Sequence, residues 1–232
     1  MKIGIICAVP REFEAFLPHI QNKKITKKAK LNFHEGKIND IDIVILFCGV
    51  CKTNAAIATQ ILIDNFNAQM IINSGTAGGM DESLNVFDTV ICTEVAHHDV
   101  NEDILTENHP FISSVYFKAD DLLVELSQKA VTQLSLKNKI YFGRMVTGEC
   151  FITNDGRDEI NSTFKPLSVD METASIAQVC HVNEIPFISI RTITDNLTHC
   201  GVEHFENNVA TASGISKDIV IELLEEIKAG YR

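Results

Sequence analysis

The sequence predicts an α/β fold carried by one domain. Three observations point to it. Short apolar runs rich in β-branched residues, such as Ile3 to Ala8, Met70 to Ile72 and Ile185 to Ile193, read as strands buried on both faces. Segments with apolar residues at helical spacing lie between such runs. No Pro/Gly/Ser-rich linker and no low-complexity run divides the 232 residues, so a single domain over 1–232 is the simpler account of the alternation.

The elements follow in order. After the first strand, Pro10 is well placed at the first position of a helix. Phe13, Phe16, Leu17 and Ile20 recur at helical spacing, and Pro18 is expected to end or kink that helix. Lys23, Lys24, Lys27, Lys28 and Lys30 read as a solvated connection. Residues 31–36 and 41–47 read as two strands joined by a polar turn at Asn39-Asp40. A helix is expected over 52–66, with Ala55, Ala56, Ala58, Ile61, Leu62 and Phe66 on its apolar face. Met70 to Ile72 reads as a strand running into a loop at 73–79, NSGTAGG, whose small residues let backbone and ligand approach closely. Val86 to Val95 reads as a strand. Residues 100–116 read as a polar, irregular loop of a length that often serves function. Asp120 to Leu134 reads as an amphipathic helix with Leu122, Leu123, Leu126 and Ala130 on one face. Ile140 to Val146 reads as a strand, followed by TGECFI at 147–152. Val169 to Met171 reads as a strand end, and Glu172 opens a helix that buries Ile176, Ala177 and Cys180. Asn183 and Glu184 turn the chain into the strand Ile185 to Ile193, with Asp195 just past its end. From Phe205 to about Ile227 one long helix is expected, with Gly214 as its weak point.

Composition excludes several roles. A formal net charge of −11 argues against nucleic acid and anionic membrane surfaces as partners. The seven cysteines are odd in number and several lie inside apolar runs. That is how free cysteines behave in a reduced cytosol, so a cytoplasmic location is expected. Cys48 and Cys51 have redox-motif spacing but lack a thioredoxin-like context. No signal peptide pattern opens the chain, and no run reaches the ~18 apolar residues of a spanning helix. His97, His98 and Asp99 are metal-ligand types, but their spacing is not that of a helical His pair, and no metal is expected. No phosphate-cradling glycine motif is present.

Glu12, the 73–79 loop, the 147–152 loop, Met171-Glu172 and Asp195 each fall at a strand end. Each acid taken alone is explained by a helix dipole or a turn. In open α/β sheets, however, ligands bind outside the carboxyl ends of strands. If the sheet is mainly parallel through these strands, all five features converge and a pocket is the better account. Three carboxylates, an aromatic (Phe151) and bare backbone suit hydrolysis of a glycosidic bond through an oxocarbenium-like state. One acid would protonate the leaving group, another would polarise water, and a third would hold sugar hydroxyls. This reasoning leaves the substrate open.

The stretches MKIGIICAVPREFEAF, INSGTAGG, FKADDLL, TGECFI, VDMETASIAQVCHVNEIPF and IRTITD cover most of the chain. In that order they resemble the nucleoside phosphorylase/nucleosidase superfamily, and within it the bacterial 5′-methylthioadenosine/S-adenosylhomocysteine nucleosidases. INSGTAGG together with VDMET…RTITD is the specific part of the match. The resemblance implies a three-layer α/β/α domain with a mixed, strongly twisted central sheet. It implies a homodimer that hydrolyses the adenine–ribose bond of a small nucleoside without a cofactor. Asp195 then matches the general acid and Glu12 the base that deprotonates water. Glu172 matches the acid that binds the ribose hydroxyls. Phe151 matches the residue that packs on adenine, and the Ile152 backbone would read the base edge. Met171 and Phe205 match walls of the sugar and 5′ pocket. Thr76 and Arg191 match positions near the attacking water, and Gly78 belongs to the substrate-binding loop. Departures are Asp170 for the usual Glu, Glu149 for a shorter Asp, Thr76 for Ser and Cys51 for Gly. The larger one is 97–115, where only His98-Asp99 follows the family pattern, so the preferred 5′ substituent is left open. A phosphorolytic relative is the runner-up. Arg11 gives it some motive, and Glu12, which would repel phosphate, argues against it. A non-catalytic nucleoside binder would have no need of the three acids.

Overall fold

The computed structural model describes residues 1–109, 111–153 and 155–230. Among these, ten strands and seven α-helices follow one another along the chain. The strands are β1 (Lys2–Cys7), β2 (Gln21–Lys28), β3 (Leu31–Ile38), β4 (Ile41–Phe47), β5 (Met70–Gly79), β6 (Thr89–His97), β7 (Tyr116–Lys118), β8 (Ile140–Thr147), β9 (Ser168–Asp170) and β10 (Phe187–Asp195). The helices are α1 (Pro10–Glu14), α2 (Lys52–Phe66), α3 (Glu102–Glu107), α4 (Asp121–Gln133), α5 (Arg157–Phe164), α6 (Thr173–Val182) and α7 (Val202–Gly230). No helix among the described residues is long and apolar enough to cross a membrane.

All ten strands belong to one mixed sheet in the order β2-β3-β4-β1-β5-β9-β8-β6-β10, with β7 added to β6. β10 also pairs with β5, so β5, β9, β8, β6 and β10 close into a ring. The strands β1, β4, β3 and β2 extend from β5 as an open wing. Strand faces alternate as the period of two requires. Ile3, Ile5, Cys7, Ile43 and Ile45 pack with Phe13 of α1, Phe16 just after it, Leu123 and Leu126 of α4 and Leu223 and Ile227 of α7. Ile6, Val44 and Leu46 point the other way, toward Ala55, Ala58 and Leu62 of α2 and Ile176, Ala177 and Cys180 of α6. The result is the three-layer α/β/α arrangement.

The differences from expectation have physical causes. The lysine-rich segment is strand β2, paired antiparallel with β3 and solvated along nearly its whole length. Such a charged edge discourages pairing with another chain. The small residues 73–79 are not a loop but the second half of β5, paired with β10 and β9. Residues 100–116 contain α3 and the start of β7, and Pro110 lies outside the described residues. On α4, Leu123, Leu126 and Ala130 are buried while Leu122 is exposed. Gly214 does not interrupt α7. The sheet as a whole is mixed, with β9 antiparallel to β5 and β6 antiparallel to β10, but among the strands that carry the site β1 and β10 both run parallel to β5 and β9 runs parallel to β8. The features still converge. The pairs Val169–Gly78 and Ser168–Gly79 send β9 back along β5, so its carboxyl end meets the middle of β5, not the far rim.

Candidate active site

Pro10 starts α1 directly after β1, and this sharp turn places Glu12 in the first helical turn with only 3% of its surface exposed. Its carboxylate accepts the Ala8 and Val9 backbone N–H groups at 2.7 and 3.2 Å. It also accepts the Thr76 N–H and hydroxyl from β5 at 2.8 and 2.9 Å. The neighbouring Gly75 explains itself here, since a Cβ at that position would land on the Glu12 carboxylate.

Arg191 of β10 is 1% exposed. Its guanidinium lies 3.0 Å from Asp170 Oδ2, 3.2 Å from Glu172 Oε2 and 3.7 Å from Glu12 Oε1. It also donates to the Thr76 carbonyl at 3.1 Å. Burial alone would lower the Arg191 pKa, but Asp170, Glu172 and Glu12 together raise it. A buried charge needs such partners. Burial pushes the Glu172 carboxyl up, Arg191 opposes that, and Asp170 adds to it. Glu172 Oε1 accepts from the Cys51 N–H at 3.0 Å. The helix behind it is capped by Asp170, which accepts from the Glu172 and Thr173 N–H groups at 3.3 and 3.2 Å.

Asp195 ends β10 and is almost fully buried. Its Oδ1 accepts the Thr194 hydroxyl at 2.8 Å, while Oδ2 is buried with no partner among the described residues. Burial raises its pKa, against the lowering effect of the Thr194 bond. Gly78 is its neighbour on β5, and a Cβ there would sit 3.3 Å from Oδ2. The glycine keeps the approach to that oxygen open.

These groups face one cavity of about 350 Å³. Every residue singled out from the sequence lines it: Glu12, Thr76, Gly78, Phe151, Ile152, Met171, Glu172, Arg191, Asp195 and Phe205. The Phe151 and Phe205 rings meet edge to face, 6.4 Å apart at 76°. A buried acid whose pKa is raised, a fully bonded second carboxylate and a third over an apolar-walled space can protonate a leaving group, orient water and hold hydroxyls. Among the described residues, no group of three or more His, Cys, Asp and Glu is disposed to hold a metal ion. His97 bonds Gln178 at 2.9 Å, and Asp99 takes the Lys52 ammonium at 2.7 Å.

Comparison with known proteins gives the chain its family. The phosphorylase superfamily matches residues 2–225. A 5′-methylthioadenosine/S-adenosylhomocysteine nucleosidase of Glaesserella parasuis is 36% identical over 228 residues, covering 97% of this chain and 98% of the relative. The chain belongs to the phosphorylase superfamily, among its 5′-methylthioadenosine/S-adenosylhomocysteine nucleosidases. Solved structures of that group agree with the fold. The Neisseria meningitidis nucleosidase, in complex with methylthio-immucillin-A, superposes with a TM-score of 0.90 at 31% identity, covering 97% of this chain and 98% of that one. The Streptococcus pneumoniae nucleosidase, with a transition-state inhibitor, gives 0.89 at 30% identity, covering 98% and 100%.

As a member of this superfamily the chain shows what its departures do. Asp170 reaches Arg191 and caps α6. Cys51 sits at a backbone position with φ 87° and ψ 158°, a conformation open essentially to glycine alone. Sequence reasoning named Asp170 and Cys51 only as substitutions. Of these two Asp170 lines the cavity, as do Val9, Val50, Thr194, Val202 and Glu206, which that reasoning passed over. The acid three residues before the start of α6 was the one available signal, for Asp170. Apolar wall residues carry none.

Proposed function

We propose that the chain hydrolyses the N-glycosidic bond of 5′-methylthioadenosine and S-adenosylhomocysteine, releasing adenine and the 5′-thioribose. In this reading Asp195 holds a proton and passes it to the purine as the bond breaks. Glu12 orients a water molecule against the anomeric carbon and takes its proton. Thr76 and Arg191 keep Glu12 in place, and Glu172 accepts the ribose hydroxyls. Phe151 packs on the adenine ring, Ile152 offers its backbone to the base edge, and Gly78 leaves space over Asp195. Met171 and Phe205 wall the sugar and its 5′ group. The observation that carries the reading is the buried Asp195 with its raised pKa and open Oδ2, lining the same cavity as Glu12. Adenine release from either nucleoside by purified protein tests it, and no release from both would refute it. Phosphorolysis has less support, because the buried carboxylate of Glu12 lines the cavity and would repel phosphate. A hydrolase turns over without added phosphate and yields the free sugar, not ribose 1-phosphate. A mere binder would hold the nucleoside without turnover.

The working unit in this proposal is one domain over 1–232, acting as a homodimer in the cytoplasm without a cofactor. Exposed Val50 and Ile57 flank Lys52, whose partner Asp99 opens the segment carrying exposed Ile104 and Phe111. That apolar set supports a self-association surface, and sedimentation of the purified protein tests it. Seven cysteines, free among the described residues, support the reducing location.

A further inference from the structure

Arg11 has no part in the chemistry above. It precedes Glu12 in α1, but its partner is none of the buried acids. Its Nη1 lies 2.6 Å from Glu206 Oε2 and also donates to the Glu206 carbonyl at 3.2 Å. Both side chains are about half exposed, at 50% and 49%. Glu206 lines the cavity next to Phe205, where Val9, Val50 and Val202 supply apolar wall. The polar groups of the floor, Glu12, Glu172, Arg191 and Asp195, are all buried. The cavity therefore runs from a buried charged floor past apolar wall to half-exposed Glu206, which holds Arg11 just outside the lining.

The two nucleosides of the proposed function differ only in what lies beyond the 5′ sulfur. A methyl group ends within an apolar wall. A homocysteinyl group continues through two methylenes and ends in an α-ammonium and an α-carboxylate. We propose that Arg11 and Glu206 form the subsite for that zwitterionic end, Arg11 taking the carboxylate and Glu206 the ammonium. The proposal rests on the hydrolase reading. A guanidinium suits a carboxylate because its fork donates two parallel hydrogen bonds. An exposed ion pair contributes little to stability, so Arg11 and Glu206 exchange each other for the ligand's charges at small expense. No charge is left without a partner after the exchange. The longer substituent is thus accepted by matched charges, while the short one needs only the apolar wall, and specificity becomes a difference between two affinities.

The competing account is a clasp that merely holds α7 against α1. A substrate series separates the two. It comprises S-adenosylhomocysteine, its deaminated and decarboxylated forms, 5′-methylthioadenosine and an uncharged 5′-butylthio analogue. Arg11→Met should lower kcat/KM about five- to tenfold for the carboxylate-bearing members relative to the butylthio analogue, the range of a partly exposed charge-assisted contact. Glu206→Gln should do the same for the ammonium-bearing members alone. A uniform change across the series, or no change, overturns the subsite. If the unaltered protein releases adenine from no member, the hydrolase reading fails, and the subsite falls with it.

Discussion

Asp195 combines burial, a single hydroxyl donor and one open oxygen. This combination makes opposite demands on activity and stability. On the proposed role of Asp195 as general acid, Asp195→Asn should lower kcat by roughly 10²–10⁴-fold, the usual worth of such a positioned group. Stability should move the other way. The folded-state pKa of Asp195 lies above its ordinary value, so its favourable contribution is full below the ordinary carboxylate range. That contribution is lost as pH rises through the raised value. The amide carries no such loss. The melting temperature of the variant minus that of the parent should therefore grow from acid to neutral pH, and a flat difference would contradict the argument. Cys51 makes a second prediction. Its φ of 87° and ψ of 158° store roughly 1–3 kcal/mol of strain. Glycine relieves that strain but loses about 0.5–1 kcal/mol through greater freedom of the unfolded chain. Cys51→Gly should thus stabilise by about 1 kcal/mol in urea unfolding, the difference of those two contributions. The acids were legible in the sequence because a charged residue straight after an apolar run stands out. The strain at Cys51 was not, since nothing in a sequence states a dihedral angle.

At the junction of β5, β10 and α6, one guanidinium answers three carboxylates. Arg191→Met would leave Asp170, Glu172 and Glu12 facing one another in a buried site. Breaking a buried ion pair from one side costs about 3–5 kcal/mol, and denaturant unfolding should show a loss of that order. The loss should shrink toward acid pH, where the carboxylates take up protons. An equal loss at all pH values would show that packing, not charge, holds the junction. The legibility of each element tracks how much it buries. Helices α2, α4 and α6 were visible because each lays apolar side chains on the sheet at helical spacing. Helix α3 buries no side chain, and α5 buries only Arg157 and Ile160, so neither has a period to detect. Arg157 instead donates to the Gly79 carbonyl at the end of β5, a long-range contact with no local pattern. Strand β2 has no apolar face. The second half of β5 was hidden for the reason that makes it useful: its small residues let carboxylates lie against the backbone.

The whole molecule divides into a closed ring, β5-β9-β8-β6-β10, and an open wing ending at β2. Local sequence shows neither, because ring closure depends on pairings such as Gly78 with Val169 and Thr89 with Ile140, which join distant parts of the chain. The shared rim expected from the sequence is built by β1 and β10 running parallel to β5, with β9 brought in antiparallel to β5. The cavity sits where the ring meets β1, and its charged floor is held by β5, β10 and the start of α6. A tight, non-hydrolysable nucleoside analogue should therefore stabilise the ring as a unit. At a free concentration of about 1,000 times Kd, binding contributes about 4 kcal/mol. For a chain of this length that corresponds to a rise in melting temperature of roughly 8–16 °C. Hydrogen exchange should show where the gain goes. Amides of β5, β10 and the first turn of α6, which exchange through large-scale opening, should slow strongly. Those of the solvated edge strand β2 exchange through local fraying that the ligand does not oppose, and they should keep their rates. If β2 slowed as much as β5, wing and ring would open as one unit and the division would be wrong. If the melting temperature rose while β5 and β10 kept their rates, the ligand would be binding somewhere other than this cavity.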